Sequence, residues 1–464
     1  MKNYSVISDS PGELRALSFR GAKAIDFLVR RFERKIPMRH DVFLAKVEQW
    51  SPSLDGVFLC LGEGGKAFMP TPKGIILKPG GLYPVTVVRS AIGEKLTRVS
   101  MDIVFASPRL LLIPQKKGLH LSNRAKQRAG QMGQLVLHRL KQENLDYLLV
   151  RENAFSASPD ALLHEAKFLT ERFKAFNEEV RLKKTQGALK YATTYLEWFI
   201  CDAITQGEIQ VGSEQLFHQL RKDWQALCPD LASQIILIDA VRADAIIDEQ
   251  MENILSPKIP FSNIGNLVFE HTQALTAIDV NAFAGHKKGH RYQLNINLQT
   301  VPEIARQIRL RNIGGLIIID FINMPDDGSR QAIEAEIQKA FADDYAETKI
   351  FPISDTGLMQ IVREKSGPSV AEIFLAPQED MFFSFETVML NLIRVLVRRV
   401  GEYPDRRIIV SCHPDFLNWL KHKSYHTDMI PKNISALVSW KSDANTEPRK
   451  PFMNVAGVSE PFFV

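Results

Sequence analysis

Four consecutive aliphatic residues, Leu316-Ile317-Ile318-Ile319, stand between Gly314-Gly315 and Asp320. A short unbroken apolar run reads as a strand buried on both faces, and such a strand needs helices packed around its sheet. The neighbouring sequence supplies them. Residues 302–311 form a helical pattern with proline near its start, ended by the glycine pair. Residues 330–341 are helical again, before a strand at 349–353. With two further strands at 266–269 and 275–279, this alternation predicts a mixed α/β (α+β) domain over 261–375.

The chain has 464 residues, enough for roughly two to four domains at ~100–200 residues each. Its texture changes accordingly. Residues 42–105 hold short β-rich runs (42–47, 56–61, 83–89, 97–105) separated by Gly/Pro-rich turns, which predicts a small barrel. Residues 114–132 are basic and turn-prone, and 147–151 reads as a strand. Ser158-Pro159 looks like a helix cap followed by a first-turn proline, and apolar residues follow at Leu162, Ala166, Leu169, Phe173 and Phe176. Residues 185–256 are mostly helical, with a strand at 235–238. The last ~85 residues look like a small α/β module, with a helix at 385–400 and a strand at 407–411.

Composition narrows the function classes. Hydrophobic residues at 45% and charged residues at 24% exclude a largely disordered chain. A formal charge of +5 permits a polyanionic partner without requiring one. No apolar run approaches the ~20 residues of a membrane span, so none is expected. The stretch MKNYSVISDSPGEL has no apolar run of the signal-peptide kind, and the expected location is cytoplasmic. Cys60, Cys201, Cys228 and Cys412 lie far apart with no zinc spacing, so buried reduced thiols and no zinc are expected.

Two carboxylates carry the chemical signal. Asp279 closes the run Ala274-Leu275-Thr276-Ala277-Ile278, as Asp320 closes the other. A carboxylate at the end of an apolar strand is costly unless it is paired or binds a cation. Two rigid strand ends side by side would hold oxygen donors at a fixed separation, which suits Mg²⁺. Asn281 points to the same side as Asp279 if the strand continues, placed to orient a carboxylate. Spacing alone leaves open the plainer reading, that both aspartates cap strands or helices. Other residues carry the same ambiguity. Phe58 and Phe68 are either barrel core or exposed platforms for unpaired bases. Lys287, Lys288 and Arg291, in the segment 285–291, either neutralise phosphates or face solvent. His286 and His290 lack a third and fourth ligand for zinc. Arg306 and Arg309 share a helix face and either track RNA or pair with acids.

These residues resemble those of the ribonuclease E/G endoribonucleases of bacteria. The likeness runs through 274–286, Asn295 and Asn297-Leu298. It is strongest from Glu303 to Ile322, EIARQIRLRNIGGLIIIDFI. Weaker likeness covers 13–16, 52–54, Val150-Arg151, Ile353-Ser354 and Gly357-Leu358. The resemblance implies a split RNase H-like domain (1–38 and 186–256) into which an OB-fold barrel (39–108) and a 5′-sensor region (109–185) are inserted. A DNase I-like catalytic domain (257–375) and a small C-terminal α/β domain (376–464) would follow. It implies that Asp279 and Asp320 bind catalytic Mg²⁺, or Mn²⁺ in its place, with Asn281 in support. It implies hydrolysis of single-stranded RNA to 5′-phosphate and 3′-hydroxyl ends, in RNA processing or decay. Phe58, Phe68 and Lys95 would contact the RNA, and Arg151 and Arg124 stand where the family grips a 5′-phosphate.

Departures from the family pattern matter as much. The region 371–380 (AEIFLAPQED) carries no cysteine where the family often has a CPxCxGxG zinc link, so any homodimer would form without that link. Arg151-Glu152 replaces Arg-Thr, and Asn123-Arg124 replaces paired arginines. A free carboxylate in an anion pocket weakens phosphate binding unless another cation compensates. Asn323 replaces an aspartate after the Asp320 strand, Arg291-Tyr292-Gln293-Leu294 replaces an acidic run, and Tyr345 and Glu347 stand where basic residues are common. Two other functions therefore remain to be told apart from a nuclease: an RNA-binding protein that does not cut, and a phosphohydrolase of small molecules.

Overall fold

The computed structural model describes residues 2–464 apart from 33–36, 72–73, 92–94, 144, 262–263, 273, 284–289, 325, 343, 345, 377–378, 403–405, 424, 457–461 and 464. Lys287, Lys288, His286 and Tyr345 thus lie outside the described residues. The architecture is mixed α/β with several separate cores. Among the described residues, no helix is long and apolar enough to cross a membrane.

The N-terminal segment, for which the sequence suggested no elements, forms three strands, Asn3–Ser10, Glu13–Arg20 and Lys23–Arg31. Their sheet is completed by Gly207–Val211 and Ile235–Leu237, parallel to Asn3–Ser10. Between these halves of the sheet lies a closed five-stranded barrel of Val42–Ser51, Gly56–Cys60, Lys66–Pro70, Thr97–Ser100 and Leu82–Arg89. Val57, Leu59, Ala67, Met69, Val85 and Val99 fill it.

The segment after the barrel is more regular than its composition suggests. Residues from Asn123 on form the helix Asn123–Gln142, because Ser122 accepts a hydrogen bond from the Ala125 N–H and caps it. The turn-prone character holds at 114–118, where Gly118 has a φ of 99°, and again at Gly130, whose positive φ of 42° breaks the helix. Ser158 caps Pro159–Leu182 as expected, with Pro159 in the first turn.

The sheet that carries both aspartates runs in the order Lys258–Phe261, Gly265–His271, Leu275–Ala282, Gly315–Asp320, Leu358–Arg363, Thr348–Ile350. The helix His290–Leu310 links the parallel pair Leu275–Ala282 and Gly315–Asp320. It begins well before residue 302 and holds Pro302 in its interior, not in its first turn. Asn312 leaves the helix at a φ of 51°, and Gly315 starts the next strand at a φ of 95°, where a side chain would be strained.

Helices His290–Leu310 and Asp327–Phe341 cover one face of this sheet, through Ile304, Ile308, Ile333 and Ile337. The other face is open. Ile317 and Ile319 are buried, whereas Leu316 and Ile318 are only half-buried and Leu358 and Val362 are exposed. The unbroken aliphatic run is therefore not buried on both faces, as its composition implied. Among the described residues, it serves a sheet with helices on one side only.

A buried ionic cluster fastens the N-terminal sheet to the C-terminal module. Glu13, fully buried, accepts from Arg15 Nε at 2.5 Å, Arg31 Nε at 2.8 Å and Arg394 Nη2 at 3.1 Å. Arg394, on the helix Phe385–Glu402, also donates to Ser8 and Asp244. Arg15 and Arg31 lie over the Phe374 ring at 5.0 and 5.1 Å. Burial raises the Glu13 pKa, but the three guanidiniums outweigh it and bring the carboxyl down to about 2.

Candidate active site

Asp279 and Asp320 face each other across adjacent parallel strands, in direct register. Strands so paired lie about 4.8 Å apart, so the two carboxylates stand on one face about one strand spacing from each other. Asp320 ends its strand, but Asp279 is followed by three more strand residues. That continuation puts Asn281 on the face of Asp279, and the Asn281 amide donates to Asp279 Oδ2 at 2.6 Å. Ile278 and Val280 alternate with this pair and point into the core. All three polar side chains are exposed on the open face. Partial burial, and then the charge of Asp279, push the Asp320 carboxyl up.

This donor set fits a hard cation. Two carboxylates that repel one another gain from a positive ion between them, and Mg²⁺ is commonly held by one or two carboxylates while keeping several waters. Among the described residues, no group of three or more His, Cys, Asp or Glu could hold a metal. Oxygen donors of this kind suit Mg²⁺ or Mn²⁺ better than zinc, which favours nitrogen and sulfur ligands.

Phe58 and Phe68 are opposite one another on neighbouring barrel strands, 5.6 Å between ring centres at 60°. Their neighbours Val57, Leu59, Ala67 and Met69 fill the core, so both rings point outward and are half-buried. The Phe68 ring lies against Gly56, where a Cβ would collide with it. Lys95 is exposed at the barrel rim and lines a cavity shared with the aspartate sheet.

Arg151 is engaged otherwise. Its Nη2 pairs with Asp202 and its Nη1 donates to the Ser107 carbonyl at 3.3 Å. Glu152 pairs with Arg128. Arg124 is exposed in the first turn of Asn123–Gln142. Asp202 was not legible as a partner, because it comes from a helix 51 residues further along. Arg306 and Arg309 have structural duties. Arg306 pairs with Glu303 and donates to the Ala24 carbonyl, and Arg309 donates to the Ala340 carbonyl at 2.9 Å. All four cysteines are free, three buried and Cys60 half-buried.

Comparison with known proteins gives the family. The profile of the ribonuclease E/G family matches residues 105–366, just over half of the chain. The chain is 37% identical over 174 residues to a chloroplastic ribonuclease E/G-like protein of Arabidopsis thaliana, covering 36% of this chain and only 17% of that protein. It is 25% identical over 386 residues to ribonuclease G of Escherichia coli K12, 79% of this chain and 77% of the relative. It is 26% identical over 358 residues to ribonuclease E of a Nostoc species, 72% of this chain and 52% of the relative. On the strength of the matched segment, which includes both aspartate strands, this chain belongs to the ribonuclease E/G family.

Proposed function

We propose that this chain is a Mg²⁺-dependent endoribonuclease of the cytoplasm that cuts single-stranded RNA during RNA processing or decay. The observation that carries this reading is the in-register Asp279–Asp320 pair, with Asn281 bonded to Asp279, on the open face of its sheet. Its relatives' names, ribonuclease G and ribonuclease E, support the substrate class.

The chain's own groups divide the work. Asp279 and Asp320 present oxygen donors from two strands, and Asn281 fixes the rotamer of Asp279. Asp279 and Asp320 would hold a Mg²⁺ ion, which would supply an acidified water and positive charge for the phosphate. Hydrolysis that breaks the bond between phosphorus and the 3′ oxygen would leave 5′-phosphate and 3′-hydroxyl ends. Phe58 and Phe68 stack unpaired bases, which restricts the substrate to single strands. Any homodimer uses a surface other than a cysteine-bound zinc.

The test is a 5′-labelled unstructured RNA incubated with and without Mg²⁺ or Mn²⁺. Internal cleavage that needs the ion is expected. RNA binding without products would make the chain an RNA-binding paralogue, and products unaffected by single-stranded RNA competitor would point to a small-molecule phosphohydrolase. Two predictions refine it. Phe58→Ala with Phe68→Ala should weaken binding of unpaired RNA by about 1–3 kcal/mol per lost stack, measured by fluorescence anisotropy. Unchanged affinity would remove the stacking claim. Arg151 and Glu152 are already paired with Asp202 and Arg128, so the 5′ end has no spare cation at Arg151. One RNA carrying a 5′-monophosphate or a 5′-hydroxyl should be cut at rates within roughly threefold, under ~0.7 kcal/mol. A large preference for the monophosphate would show that the pocket rearranges to bind it.

A further inference from the structure

Asn266 lies on the strand Gly265–His271, directly opposite Asn281. Its neighbours Leu267 and Phe269 point into the core, so alternation puts Asn266 on the open face with Val268, Asp279 and Asn281. It is nevertheless only 6% exposed, and its Oδ1 is buried without a hydrogen-bond partner. A buried carbonyl left unmatched forfeits more than an ordinary hydrogen bond gains, and each such group in a folded protein calls for a reason.

The surroundings of Asn266 narrow the donor that can match it. Pro260 stands opposite it on the other side, and Ile264 and Val268 flank it along the chain. None of these side chains has a polar hydrogen to donate. Lys258 lies diagonally and is exposed. Asn281 is directly opposite, and side chains so placed have Cβ atoms about 4.5–5.5 Å apart, within reach of a bond between two amides. One N–H of the Asn281 amide is spent on Asp279 Oδ2 at 2.6 Å, and a second remains on the same nitrogen. The backbone beneath is closely fitted. Gly265 packs on the Asn281 carbonyl so that a Cβ there would collide with it, and just beyond, the Phe283 N–H donates to the Ile264 carbonyl at 2.8 Å. The register of the two asparagines is thus fixed, and only side-chain torsions need turn for them to meet.

We propose that Asn266 is a positioning residue of the aspartate site. Its Oδ1 accepts the second N–H of Asn281, so that the Asn281 amide bridges Asn266 and Asp279 and holds that carboxylate in one orientation for its cation. The role rests on the reading of the aspartate pair as a divalent-ion site and extends that site by one residue, behind Asn281. Partners placed behind a metal ligand commonly change metal affinity or activity by roughly 10–100-fold. Asn266 touches neither the ion nor the RNA, and it acts through Asn281 alone.

The experiment is Mn²⁺ binding to the full chain without RNA, read from the electron paramagnetic resonance of the free ion. The wild type should bind an ion that Asp279→Asn loses. Asn266→Leu keeps the branched outline of the side chain, removes the acceptor, and should weaken this ion about tenfold or more. Its unfolding temperature should hold or rise, because an apolar group replaces an unmatched buried carbonyl. In an Asn281→Ala background the same substitution should change ion affinity by less than about twofold, since the residue it acts through is gone. In RNA cleavage, the Mg²⁺ needed for half the maximal rate should rise about tenfold, with KM for RNA within about twofold. Should Asn266→Leu lose its cooperative unfolding, Asn266→Ala removes the same atom without added bulk and carries the same expectation for ion affinity. Wild-type ion affinity without the acceptor, or an equal effect of Asn266→Leu with and without Asn281, overturns the positioning role and leaves the aspartate site standing. A wild type whose Mn²⁺ binding is untouched by Asp279→Asn overturns the site and the role together.

Discussion

Asp320→Asn and Asp279→Asn should each slow RNA cleavage by roughly 10³-fold or more, equivalent to ~4 kcal/mol of lost transition-state stabilisation. The substitution keeps the shape of the side chain and removes the charge that holds a cation. RNA affinity should stay within about twofold, because the proposed stacking residues Phe58 and Phe68 lie on the barrel, away from the pair. The fold should not suffer. Asp320 is held up by partial burial and by the charge of Asp279, so its ionised form is disfavoured without a cation. Neutralising it relieves repulsion, and the unfolding temperature should hold or rise. Single-turnover cleavage with matched thermal unfolding checks both halves. Robust Mg²⁺-dependent cleavage by either variant would end the assignment of the pair. A large loss of stability would give these residues a structural duty instead.

Glu13→Gln should destabilise the protein by about 3–5 kcal/mol, the usual cost of removing one member of a buried ionic group and leaving the others uncompensated. Three arginines would face a neutral amide. The same carboxylate makes stability depend on acid. Its folded pKa of about 2 lies below the ordinary 4.5, so its contribution is fully present above about pH 4.5. It is lost as pH falls towards 2, and the difference of about 2.5 pKa steps corresponds to ~3 kcal/mol. Urea unfolding of wild type and variant at pH 7 and at pH 3 checks the sign, because the gap between them should narrow at the lower pH. Glu178→Gln, which removes a surface partner of Arg181, is the control and should change nothing measurable. A gap that is equal at both pH values would mean that Glu13 acts through packing and not through its charge.

The aspartate site was legible because both residues follow aliphatic runs within a long segment of family likeness. The register that pairs them, and the strand residues beyond Asp279, required the structure. Phe58 and Phe68 could be placed in the barrel but not on a face of it, since their strands lie among short apolar runs where either alternation fits. The N-terminal sheet was missed for a different reason. The partner of its first strand, Gly207–Val211, is a five-residue strand between helices, and no local pattern ties it to residues 3–10. The strand Leu358–Arg363 was missed too, although its exposed and buried residues alternate cleanly. The expectation for 114–132 held for the turns at 114–118 and missed the helix from Asn123, because basic composition was weighed above the cap at Ser122. Asp202 and Asp244, which occupy Arg151 and Arg394, act across distances in the chain that spacing rules do not reach.

The split N-terminal sheet has a consequence for how the chain is made. Residues 3–31 leave the ribosome well before the rest of their sheet, since the parallel partner of Asn3–Ser10 follows about 200 residues later. At ~5–20 residues per second that is a wait of roughly 10–40 s, during which the nascent hairpins present an open edge to other chains. The barrel, built from contacts within some sixty residues, has no such delay and can close while the flanking sheet is still incomplete. Arg394 arrives 381 residues after Glu13. The buried cluster around Glu13 is therefore completed only when the C-terminal helix has been made, and slow translation or heat during that interval should divert more of the protein into aggregates.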